Sequence, residues 1–232
     1  MSKELFPETK LATAIENNPS LLFMLEYFRI SSPIKNKTIK GICNENNINP
    51  CLMVVIGNLY NKAGNPPNIT HISTKDIPSI ISFLKNTHLH YKSEKYPEIE
   101  NLIKRLKEIT APVEIDQIQI FFKEYFDEVV EHLDYEDNYA FPYICSLLQN
   151  DIKKDNTFSS SVYRNHHTDI ETKLSDLKTL LLQHIWFEKG LSIRRKILLK
   201  LFELQQDLTV HSKIEEQILL PIVETLENEY HG

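Results

Sequence analysis

His132-Leu133-Asp134-Tyr135-Glu136 is followed by a proline at Pro142, and His211-Ser212-Lys213-Ile214-Glu215 by one at Pro221. In both stretches the glutamate comes four residues after the histidine and the proline six after the glutamate. Residues at i and i+4 share one face of an α-helix, about 6 Å apart along its axis. An imidazole nitrogen and a carboxylate oxygen can therefore converge on one point beside the helix. The flanking residues say where that point lies. Leu201, Leu204 and Leu208 recur in steps of three and four and run on through His211, Glu215, Ile218 and Ile222. Phe122, Tyr125, Phe126 and Val129 lead in the same phase to His132, Leu133 and Glu136. Both pairs sit on the core-facing stripe of amphipathic helices.

That placement demands a partner. Burying a neutral polar group without one costs about 2–7 kcal/mol, and a charge far more. Two glutamates brought together inside a protein repel unless protonated or bridged by a cation. A metal centre meets both demands.

Outward from these stretches, residues 73–232 read as four helices joined by short loops, which is an all-α, antiparallel up-down four-helix bundle. The first helix is expected over about 74–107, with Ile77, Ile81, Leu84, His88 and Tyr91 on its stripe, and Ala111-Pro112 breaks it. The second spans 113 to about 148. After a polar loop at 151–160 the third reaches about residue 187, with Tyr163, His167, Ile170, Leu174, Leu177 and Leu181 in phase. Gly190 stops it, and the fourth fills 191–229.

The histidines then fall into register. His88 and His132 are 44 residues apart, and so are His167 and His211. At about 1.5 Å per residue such a step runs up one helix and back down the next to the same height. One histidine per helix thus reaches one level of the core. His90 and His166 fall off the stripe, His71 and His231 lie in a linker and a tail, and His184 is in phase but more than four turns from His167. Glu171, four after His167, is slightly off the stripe's centre. The candidate metal ligands are His88, His132, Glu136, His167, His211 and Glu215. A lone in-phase histidine is usually a hydrogen-bonded core residue; four of them with a repeated HxxxE are not so explained. Nitrogen and oxygen donors without thiolate suit iron, manganese or zinc. Six ligands with two carboxylates able to bridge fit two metals better than one, leaving positions open to an oxo bridge or a small ligand.

The 232 residues carry a net charge of −6, which argues against a nucleic-acid partner. Cys43, Cys51 and Cys145 are scattered, without CxxC spacing, and suggest a reducing compartment. MSKELFPETK at the start has no apolar run, and no stretch reaches about 18 uninterrupted apolar residues, so no membrane partner is expected. The expected location is cytoplasmic. Residues 1–72 look like a separate helical unit, with an apolar stretch from 11 to 30 interrupted by Asn17-Asn18-Pro19, helices at 37–46 and 50–62, and a linker at 64–67. Residues 38–60 resemble a helix-turn-helix, but few Arg or Lys project from them, and a docking module is the better reading.

The order His, HxxxE, His, HxxxE resembles the hemerythrin-like (HHE cation-binding) di-iron proteins, more closely their branch for repair of iron centres. THLHYKSEKYPEI, HLDYEDNYAFPYI, NHHTDIETKLSDLK and HSKIEEQILLPIVETLE are similar to the family's ligand blocks, and IENNPSLLFMLEYFRI and TIKGICNENNINP to helices of its N-terminal domain. The resemblance implies two iron ions, oxo- or hydroxo- and carboxylate-bridged, with His88, His132, His167 and His211 as terminal ligands and Glu136 and Glu215 as bridges. It implies a stress-response role in iron-sulfur cluster repair, through iron donation or nitric oxide handling. Expected partners are oxygen, nitric oxide and iron-sulfur proteins, with a homodimer also compatible. Oxygen-carrying hemerythrins have a second histidine four after His167, where this chain has Glu171. The adjacent cysteine pair of many family members is replaced by Pro33-Ile34. A sensor or store for oxygen or nitric oxide, and a di-iron reductase or peroxidase, are the alternatives, so whether the chain is an enzyme stays open at this point.

Overall fold

The computed structural model describes residues 4–61, 68–110, 113–149, 170–184 and 189–231. The expected linker at 64–67, the loop at 151–160, and His166 and His167 lie outside them. The secondary structure of the described residues is helical, with an isolated bridge between Lys10 and Thr38 as their extended pairing. The chain divides into two compact units, one of Met1–Thr87, Phe141–Ser160 and Val210–Gly232, the other of His88–Ala140 and Ser161–Thr209.

The first unit begins with α1 (Leu11–Asn17), α2 (Leu21–Tyr27), α3 (Ile39–Asn46) and α4 (Pro50–Tyr60). Their ends are written in the sequence. The Thr38 hydroxyl accepts from the Gly41 amide at 3.1 Å to cap α3, and left-handed Asn47 closes it. Asn49 caps α4 by accepting from the Cys51 amide at 2.9 Å, with Pro50 in the first turn, where its missing N–H costs nothing. Asn58 binds both the amide and the carbonyl of Leu5, at 2.7 and 3.2 Å. Leu11, Leu21, Met24, Ile39, Ile42, Leu52 and Ile56 form the apolar interior here. Ser73 and Asp76 make a capping box ahead of α5 (Ile77–His90). Asn86 of α5 donates to the Tyr27 carbonyl at 2.8 Å and accepts from Arg29 at 2.9 Å, and Phe83 meets Tyr27 edge-on at 5.4 Å.

The second unit is built on α6 (Tyr96–Thr110), α7 (Val113–Tyr135), α9 (Ile170–Thr179) and the greater part of α10 (Leu191–Ile214), whereas α8 (Phe141–Leu148) and α11 (Leu220–His231) belong to the first. Cross-helix pairs fix the directions. Lys107 pairs with Asp116 at 2.6 Å while Tyr96 stacks on Phe126 at 4.5 Å, so α6 and α7 run antiparallel. Glu98 pairs with Lys200 at 2.9 Å and Lys95 with Glu203 at 2.5 Å, so the first and fourth helices are antiparallel too. Lys178 bonds Gln205 while Arg194 donates to the Leu181 carbonyl at 2.8 Å, giving the same sense to the third and fourth. Gly190, at φ 76°, makes the turn ahead of α10, as its lack of a Cβ allows. One core of Ile99, Ile103, Phe122, Tyr125, Leu174, Leu177, Leu201 and Leu204 holds these helices together. This is the all-α, antiparallel four-helix arrangement that the hydrophobic periodicity predicts.

Among the described residues four π turns interrupt the long helices: Tyr91–Lys95, Glu136–Ala140, Leu180–His184 and Glu215–Leu219. In three of them a proline, Pro97, Pro142 or Pro221, stands six residues after the first residue of the turn. A proline inside an α-helix cannot donate to the carbonyl four residues back, and its ring crowds that carbonyl. A widened turn just before it lets the helix continue.

Candidate metal centre

The second unit begins at His88, in the last turn of α5, and α7 carries His132 in its last turn. Glu136 opens the π turn that follows. Glu136 is fully buried, His88 almost so, and His132 is 11% exposed. The two carboxylate oxygens of Glu136 go to different rings: Oε2 lies 3.2 Å from His88 Nε2 and Oε1 lies 3.1 Å from His132 Nε2. His88 Nδ1 is 3.0 Å from Asp137 Oδ1, and Lys92 Nζ reaches Asp137 at 3.2 Å and Asp134 at 2.7 Å. In the first unit, His211 Nε2 lies 3.2 Å from Glu215 Oε1, and its Nδ1 lies 2.8 Å from Thr87 Oγ1. The Thr87 hydroxyl donates to the Leu84 carbonyl at 2.6 Å.

Each unit thus carries its own buried histidine–glutamate set, His88 and His132 around Glu136 in the second and His211 with Glu215 in the first. Donors about 2.1 Å from a metal on adjacent corners of an octahedron are about 3.0 Å apart. The Nε2-to-carboxylate separations of 3.1–3.2 Å have that length. Imidazole and carboxylate donors, with no thiolate, suit iron, manganese or zinc.

Electrostatics favours ionised carboxylates here. Burial pulls the His88 imidazole down, but hydrogen bonds and charge from Asp137 and Glu136 outweigh it and carry it up to about 9. Burial raises Glu136, yet the hydrogen bonds and charges of His132 and His88 hold it well below the usual carboxylate range. Asp137 is lowered likewise, its burial outweighed by His88 and Lys92. The buried glutamate is thus poised as an anion, the form a metal binds.

Residues 97–223 match the model of the hemerythrin HHE cation binding domain. The chain belongs to the hemerythrin HHE cation-binding family. The matched stretch contains His132, Glu136, His167, His211 and Glu215, and it begins after His88, whose place beside Glu136 comes from the fold. The chain is also similar to the iron-sulfur cluster repair protein ScdA of Staphylococcus haemolyticus, at 20% identity over 192 residues that cover 82% of each chain. No solved structure matches it. Among the described residues no helix is long and apolar enough to cross a membrane.

Five of the six candidate ligands lie among the described residues, and His167 lies outside them; of Glu171 and His184 only the backbone is described. His90, read as off the stripe, is instead buried: its ring lies beside Tyr91 and within 3.6 Å of Glu94 one turn on. Sequence reasoning missed Thr87 and Asp137. They flank the ligands in sequence, but the histidines they contact are 124 and 49 residues away, and no local period pairs them.

Proposed function

We propose that the chain is a non-haem di-iron protein that restores iron-sulfur clusters damaged by nitrosative or oxidative stress, by donating iron or by handling nitric oxide. The observation that carries this reading is a buried glutamate held against imidazole nitrogen in each unit, Glu136 against His88 and His132 and Glu215 against His211. Membership of a cation-binding family and similarity to a protein named for iron-sulfur cluster repair support it. In this reading His88, His132, His167 and His211 are the terminal nitrogen ligands, and Glu136 and Glu215 bridge. Glu136 divides its oxygens between two histidines, as a bridging carboxylate does. Bound iron supplies a redox-active Lewis acid able to take a small ligand or to leave. The chain's own residues supply carboxylate oxygens and oriented imidazoles, buried within each unit. His132, at 11% exposure, is the most exposed of the described histidines of the set.

Residues 73–232 hold the metal in this proposal, and residues 1–72 dock the iron-sulfur protein to be repaired. The free cysteines Cys43, Cys51 and Cys145 suit a reducing compartment such as the cytoplasm.

Metal content and optical spectrum of anaerobically purified protein, for wild type and for Glu136→Ala with Glu215→Ala, test the site. About two irons per chain, lost in the double variant, is the expected result. No stoichiometric metal after reconstitution overturns the reading. Protein loaded with labelled iron, incubated with a hydro-lyase whose [4Fe-4S] cluster has been damaged, tests repair. Label recovered in an active cluster is expected; a loaded protein that leaves the hydro-lyase inactive removes repair and leaves the metal site standing.

A further inference from the structure

We propose that Thr87 and Asp137 are positioning residues, each accepting a hydrogen bond from the Nδ1–H of a buried histidine so that Nε2 is left as the metal-binding atom. The inference rests on the reading of His88 and His211 as ligands of an iron centre.

A hydroxyl has one proton to give. That of Thr87 goes to the Leu84 carbonyl at 2.6 Å, so toward His211 Nδ1, 2.8 Å away, the same oxygen can only accept. Nδ1 of His211 therefore carries its proton. The remaining ring nitrogen, Nε2, is the one facing Glu215 Oε1 at 3.2 Å. An ionised carboxylate is likewise acceptor-only, so Asp137, 3.0 Å from His88 Nδ1, fixes the proton there and leaves Nε2 facing Glu136. Two histidines in different parts of the sequence reach the same tautomer by different means. Thr87 is itself held by the turn of α5 that contains Leu84, and Asp137 by Lys92.

The two partners differ in kind. A carboxylate opposite Nδ1–H pushes electron density into the ring and strengthens Nε2 as a donor, and a neutral hydroxyl does so far less. Asp137 therefore favours the more highly charged ferric ion beside His88, whereas Thr87 orients His211 without choosing between oxidation states. Thr87 is buried, so its replacement needs a close isostere; Asp137 is half-buried and tolerates Asn without a change of shape.

The test uses full-length protein. Ferrous iron affinity is measured anaerobically by chelator competition, the midpoint potential of the bound iron by redox titration, and the fold by circular dichroism, for wild type, Thr87→Val, Thr87→Ser and Asp137→Asn. Thr87→Val is expected to weaken ferrous binding by about 10- to 100-fold with helix content unchanged, and Thr87→Ser to restore it. Asp137→Asn keeps an acceptor but loses the charge, and is expected to raise the midpoint potential. Wild-type affinity in Thr87→Val, no rescue by Thr87→Ser, or an unmoved potential in Asp137→Asn overturns the inference while the iron centre stands. Wild type that holds no iron overturns the centre and the inference together. If Thr87→Val does not fold, the potential of Asp137→Asn decides alone.

Discussion

The amide of Leu220 donates to the carbonyl of Glu215, five residues back rather than four. The next residue is Pro221, whose ring would crowd the carbonyl of Gln217 in an unbroken α-helix. Tyr96 makes the same five-residue bond to Tyr91 immediately before Pro97. The wider turn absorbs the proline and fixes the angle at which the glutamate leaves the helix, since each inserted residue rotates the remainder of the helix by about 100°. The Glu-to-Pro spacing shared by the two HxxxE stretches is thus a backbone instruction as well as a motif.

Pro221→Ala restores the N–H donor and removes the crowding. The four-residue ladder can then close, turning Glu215 away from His211. Metal content is expected to fall to about half or less of wild type, while helical circular dichroism stays the same and thermal stability is equal or higher, because alanine is favoured over proline inside a helix by about 3 kcal/mol. Full metal content in this variant would show that the π turn is held by something other than the proline.

The sequence makes some of this legible and hides the rest for physical reasons. The HxxxE pairs are readable because i,i+4 spacing and the leucine stripe are local. His88 is readable by its phase with Ile77, Ile81 and Leu84, all buried. Lys95 is in the same phase, but its residue type says surface; it is buried because Glu203, far away in the chain, pairs with it at 2.5 Å. The burial of His90 is hidden for a similar reason, since a position beside the stripe is covered or not according to what packs there. The π turns follow from Pro97, Pro142 and Pro221 once those prolines are taken as lying within helices rather than ending them.

Leu204 lies fully buried among Leu201, Ile197 and the other side chains of the second unit's core. Leu204→Ala removes that contact surface and leaves a cavity, at a cost of about 2–5 kcal/mol. Denaturant unfolding of the metal-free protein should show this as a lower midpoint with an unchanged slope. A loss below about 1 kcal/mol would mean that the surrounding helices close over the gap.

Cys43 is fully buried, its sulfur 3.4 Å from the sulfur of Met53. Burial first, and the nearby Cys51 second, push its thiol up to about 12. Only the thiolate alkylates, so at pH 8 roughly one molecule in ten thousand is reactive at this position. Iodoacetamide should leave Cys43 unlabelled in folded protein and label it in urea, as read by peptide mass spectrometry. Rapid labelling of the native state would place Cys43 in a far more open or more positive setting than α3 and α4 give it.

Removing the metal should destabilise the protein through the charges it leaves behind. Glu136 and Glu215 are both fully buried. With a cation present they are neutralised in place; without one, imidazolium must take over, at the cost of a proton held by His88 and its neighbours. A ligand that binds only the folded state adds about 2.7 kcal/mol at a hundredfold excess over its Kd. Unfolding of iron-loaded and chelator-treated protein at pH 7.5 should therefore differ by at least that amount, with the loaded form higher. The gap should vanish in Glu136→Ala with Glu215→Ala, which has no buried carboxylate pair to neutralise. A gap that persists in the double variant would place the stabilising metal elsewhere in the chain.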